Sequence, residues 1–171
     1  MPADTFVTFS LDRQDPSWSR DWVPADHLSR PTPFEDLPQS AFIWTNFQVR
    51  VVFKLGGVDF SQSMTGVPVS ILDFVLMLQA ARAIMRRQGT AQIELSDRGD
   101  QWCFSRQRGL VWLRIRGGVD GGWINGSCPV EVFEQLVDVA LADALRLLLW
   151  EQPALRRNTY LRSLARRAST T

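Results

Sequence analysis

The chain has 171 residues, is 45% hydrophobic and 22% charged, and carries a formal net charge of +1. Those values fit one globular domain that can bury a core without disulfides or metals, and they give no global field that would draw nucleic acid or an acidic ligand. Charge is graded along the chain: residues 1–60 hold 8 acids and 5 bases, residues 61–150 hold 9 of each, and residues 151–171 hold 1 acid and 5 arginines. Arginine outnumbers lysine 18 to 1, a mark of a GC-rich bacterial genome that also favours planar, forked contacts at interfaces.

The first forty residues hold six of the nine prolines and read as an arm, with residues 41–171 as a single domain behind it. Met1-Pro-Ala-Asp-Thr has neither a basic stretch nor an apolar run, so a soluble cytoplasmic protein without a leader is expected. Phe6 to Leu11 suits a short strand, and Trp18, Trp22 and Phe34 need somewhere to dock. Two destinations fit them, the chain's own core and the surface of a partner.

From Phe47 to Leu55 apolar and polar residues alternate, which predicts a strand with one buried face. Gly56-Gly57 then marks a tight turn, with Val58 to Met64 returning as a hairpin partner. Phe42 and Trp44 are out of phase with this alternation, which places a bulge or the strand entry near Asn46. A helix is predicted from Val67-Pro68 to about Gln88, with Ile71, Phe74, Val75, Leu78, Ala81 and Met85 on its apolar face and Gln79, Arg82 and Arg86 on its polar stripe. Gly89 is placed to end it. Residues 91–96, 101–106 and 110–116 read as a three-strand meander.

Residues 117–126 read as a glycine-rich loop around Trp123, followed by a second helix that begins near Cys128-Pro129. Its apolar face runs Phe133, Leu136, Val137, Ala140, Leu141, Ala144, Leu145 and Leu148, and Pro153 interrupts it. A basic amphipathic helix over residues 154–167 completes the chain. The expected fold is α+β: an antiparallel sheet of about five strands, two long helices on one face, and the C-terminal basic helix at the edge of that layer.

Catalytic chemistry has little to stand on. His27 is the only histidine and lies in the arm, Cys103 and Cys128 are far apart, and Asp97, Asp100 and Asp120 sit in predicted turns that favour aspartate for backbone reasons. Cys128 lies near a helix start, where the dipole can lower a thiol pKa, but no nucleophile signature accompanies it and it reads as a small structural residue near the cap. The glycines lack the lysine and hydroxyl of a phosphate loop. No cofactor, metal site or membrane span is expected. Arg156, Arg157, Arg162, Arg166 and Arg167 would track phosphates or form a solvated helix face.

The segments Val49 to Phe60, Val67 to Gly89, Gln92 to Ile115 and Cys128 to Trp150, about two thirds of the chain, follow the order hairpin, helix, meander, helix. That layout resembles small bacterial α+β immunity proteins of polymorphic toxin systems and uncharacterised actinobacterial domains. The resemblance implies a non-catalytic protein that binds one cognate toxin and occludes it. It carries no residue over, because such families bind through variable surfaces. Aromatic and arginine side chains make the best anchors for such a surface, which selects Trp112, Arg114, Arg116 and Trp123, with Trp18 and Trp22 from the arm. Self-association through wide apolar helix faces and nucleic-acid binding by the basic tail are the alternative readings.

Overall fold

The structure is a computed structural model that describes residues 4–25, 30–44, 46–61, 67–96, 101–116 and 122–168. Among them the strands fall into two antiparallel sheets of four, where a single sheet of about five was expected. The first contains β1 (Phe6–Leu11), β2 (Gln48–Leu55), β3 (Val58–Asp59) and β4 (Val69–Ser70). The second is the meander β5 (Thr90–Glu94), β6 (Gln101–Gln107), β7 (Leu110–Arg116) and β8 (Trp123–Pro129). The strand count is higher because β1 joins from the arm and β8 takes up Trp123 to Gly126 of what reads as a glycine loop.

β2 follows its alternation. Val49, Val51, Phe53 and Leu55 are buried, and Arg50 and Val52 face out. β1 pairs with most of it, from Phe6 opposite Lys54 to Leu11 opposite Val49. The other edge of β2 is shared: β3 pairs at one end and β4 at the other. Residues 62–66 of the expected return strand lie outside the described residues. Of the two readings near Asn46, the structure shows the strand entry: a short helix, α1 (Ser40–Ile43), precedes Phe47 at φ 59°, a left-handed conformation that a bulky side chain adopts only when its surroundings hold it there, and β2 begins at Gln48. The Phe47 backbone N–H donates to Ser17 Oγ at 2.6 Å, and its carbonyl accepts from Ile71 N–H at 3.1 Å.

The helix α2 (Ile71–Gln88) starts three residues later than Pro68, because Val69 and Ser70 are drawn into the ladder with β2. It ends at Gly89, whose φ of 75° and N–H bond to the Met85 carbonyl close the last turn. All six residues of its predicted apolar face are buried. So is Arg82, assigned to the polar stripe; it points across to the second long helix, α3 (Val130–Glu151), and reaches Asp138 at 2.6 Å. Beside it Arg86 grips Glu134 with two bonds of 3.1 and 2.6 Å, a forked pairing that sets the register of the two helices.

Both sheets turn their inner faces to this helix pair. Phe53 of β2 stacks on Trp102 of β6 with centroids 6.0 Å apart, and Phe74 of α2 meets both edge-on. Phe104 of β6 packs on Phe133 of α3. The sheets themselves touch where two glycines allow it. A β-carbon on Gly56 would lie 1.9 Å from the Ser127 carbonyl oxygen, and one on Gly126 would lie 2.8 Å from the Phe60 ring and 2.9 Å from the Leu55 carbonyl oxygen.

The arm docks on the chain's own core. Asp15 accepts from Ser17 N–H and Gln48 N–H, and the Trp18 indole donates to the Gln48 carbonyl at 2.7 Å. The C-terminal segment holds the arm from the other side: Gln152 donates to the Ser17 and Ser19 carbonyls, and Asn158 to those of Phe34 and Leu37. Asn158 also accepts from Leu161 N–H at 2.9 Å, at the start of α4 (Thr159–Ala168). The basic helix expected over 154–167 is therefore split into a 3-10 turn at Pro153–Arg157 and α4. Among the described residues no helix is long and apolar enough to cross a membrane.

The glycine contact yields a direct test. Gly126→Ala should cost about 2–3 kcal/mol by forcing a methyl into an occupied space. Gly109→Ala, at a φ of 78° with nothing within 4 Å of the added carbon, should cost only about 1 kcal/mol. Urea midpoints at constant slope measure both; equal losses would contradict a tight junction at Gly126.

Candidate functional site

The outward face of the second sheet is built by simple alternation. In β7, Val111, Leu113 and Ile115 are buried, so Trp112, Arg114 and Arg116 point away from the helices. The β7–β8 register then sets Ser127 opposite Trp112, Asn125 opposite Arg114 and Trp123 opposite Arg116. On the other side β6 brings Ser105 opposite Trp112 and Cys103 opposite Arg114. β5 extends these rows with Thr90 and Gln92.

Trp112 and Trp123 keep 41% and 45% of their surface exposed. The Arg114 guanidinium carbon lies 4.5 Å from the centre of the Trp123 ring, a cation–π contact that restrains both side chains. Among the described residues, this face joins two large aromatics with two exposed arginines on backbone that the ladder holds rigid. Chemically it suits a flat, partly acidic surface: the indoles supply apolar contact and the guanidinium groups take carboxylates.

Four of the six anchors inferred from the sequence therefore share one face, and two do not. Trp18 is 5% exposed, meets Phe47 edge-on and donates its N–H inside the chain, so it offers nothing to a partner. Trp22 is half-buried between Phe34 and Phe47. Trp123 reaches the face by a different route from that expected: it is the first residue of β8 and not a loop tip. Asn125, Ser127, Ser105 and Cys103 escaped the sequence reading, because only the pairing register reveals them.

The chemical candidates fare as follows. His27, Asp97, Asp100 and Asp120 lie outside the described residues. Cys128 is a buried β8 residue, and burial pushes its thiol up to about 11, so it is a packed structural residue and not an activated nucleophile. Cys103 is half-exposed on the outward face. No group of three or more metal-ligating side chains exists among the described residues. In α4, Leu161 and Leu164 are buried and Arg162, Arg166 and Arg167 lie outside, so the amphipathic face packs on the chain itself. Burial raises the Tyr160 hydroxyl pKa, with Arg167 opposing.

Comparison with protein-family models, with curated proteins and with solved structures finds no match to this chain.

The two thiols should separate cleanly in a labelling experiment. At pH 8 a thiol held near 11 is about one part in a thousand thiolate. Iodoacetamide followed by peptide mass spectrometry should modify Cys103 and leave Cys128 intact until urea unfolds the chain. Equal labelling of both in the native state would contradict the burial of β8.

Proposed function

We propose that this chain is a stoichiometric protein-binding protein that engages its partner through the outward face of β7 and β8, in its sharpest form an immunity-type protein that occludes a cognate bacterial toxin. The observation that carries the reading is the presence on one sheet face of Trp112 and Trp123, both substantially exposed, with Arg114 stacked on Trp123 and Arg116 opposite it in register. Exposed tryptophan and arginine on a rigid sheet have the composition of interface hot spots. The resemblance of its hairpin–helix–meander–helix order to the layout of immunity proteins gives the reading its specific form.

The test is capture of a partner from the native host by the intact protein at high salt, repeated with Trp112→Ala and Trp123→Ala. The reading predicts one stoichiometric protein whose affinity falls by roughly 30-fold or more in each variant, since a hot-spot truncation costs about 2 kcal/mol. Both variants should keep the wild-type unfolding midpoint, because neither side chain belongs to the core. A partner captured equally well by both variants would place the interface elsewhere. Recovery of nucleic acid that is lost on adding salt would move the function to the C-terminal arginines.

A further inference from the structure

A second surface lies at the edge of the first sheet, away from Trp112 and Trp123. Among the described residues β1 has a strand partner on one side only. Asp12 N–H donates to the Gln48 carbonyl at 3.0 Å, in line with the β1–β2 register, so the even-numbered residues of β1 make the bonds to β2. The backbone N–H and C=O groups of Val7, Phe9 and Leu11 therefore point out of the sheet along its open edge. The strand reads Phe-Val-Thr-Phe-Ser-Leu, without charge, proline or glycine. It lacks the charged and proline residues that ordinarily keep an edge from pairing. β5, an outer strand of the other sheet, is shorter and ends on Glu94.

Alongside this edge runs a groove of about 340 Å³ between β1 and the α3 face that bears Asp143, Arg146, Leu147 and Trp150. Trp150 is 76% exposed, the highest value among the large hydrophobic side chains of the described residues. Asp143 and Arg146 form an ion pair at 2.7 Å, so the groove wall carries no net formal charge.

We propose that β1 pairs with β1 of a second copy of this chain, forming an isologous antiparallel dimer in which the two first sheets become one. The outward set Val7, Phe9 and Leu11 is symmetric about Phe9, so a two-fold axis there matches Val7 with Leu11 and Phe9 with Phe9. That register makes ~6 backbone hydrogen bonds. It also brings together two groove walls that carry no net charge, and Trp150 from each copy gains cover at the seam. A two-fold contact of this kind closes on itself, which turns an open edge into a finite assembly.

The test needs no partner: analytical ultracentrifugation of the full chain from about 1 to 100 μM, which spans association free energies of roughly 5.5 to 8 kcal/mol. The wild type should rise from 19.4 kDa toward twice that mass. Trp150→Glu, at an exposed position, and Leu11→Pro, which removes an outward N–H and no bond to β2, should each raise the dissociation constant at least about tenfold. Circular dichroism checks their fold, and Trp150→Glu decides alone if Leu11→Pro unfolds. Amide exchange at Val7, Phe9 and Leu11 should slow as the dimer forms. A constant mass of 19.4 kDa, unchanged dissociation in Trp150→Glu, or fast exchange at those three amides in a dimer would overturn the proposal.

Discussion

The arrangement depends on one junction, where Phe53 of the first sheet stacks on Trp102 of the second and both meet Phe74 of α2. Each sheet alone is too small to cover a pair of long helices. Joined there, they cover α2 and α3 together. The contact is tight because Gly56 and Gly126 have no β-carbon, so the strands approach backbone to backbone. Trp102 is fully buried, and its indole N–H has no hydrogen-bond partner among the described residues. That orphaned donor costs on the order of 1–3 kcal/mol; the aromatic burial at the same site offsets it.

Rigidity at the junction accounts for the character of the proposed binding face. Trp112, Arg114 and Arg116 are held on β7 between two ladder partners, with Val111, Leu113 and Ile115 fixed beneath them. Such side chains lose little entropy on binding, because the backbone is already ordered and Arg114 already leans on Trp123. The arm contributes to the same stability. Asp15, Ser17 and Trp18 satisfy the backbone at Phe47 and Gln48, where a left-handed residue interrupts the chain just before β2.

The parts of the fold legible in the sequence are those fixed by local periodicity. The apolar faces of both long helices and the alternation of β2 and β7 follow directly from 3.6- and two-residue repeats, and every residue assigned to those helix faces is buried. Trp112, Arg114 and Arg116 were found by the same alternation. What could not be read is whatever depends on pairing between distant segments. β1 joins β2 across about forty residues, Val69-Ser70 is claimed by a ladder in place of a helix start, and the split into two sheets follows from both. The same limit explains the tryptophans: Trp18 and Trp112 look alike in sequence, and only the partners supplied by Gln48 and Phe47 send one inside.

The central claim is that two sheets and two helices form one cooperative platform through the Phe53–Trp102 junction. Native-state hydrogen exchange in low urea tests it most directly, read at the amides of Phe53 in β2 and of Phe104 and Leu113 in β6 and β7. The account predicts that all three exchange only through global unfolding, with one shared free energy and one shared urea slope. Exchange of either sheet through a lower-energy opening, while the other stays protected, would contradict it.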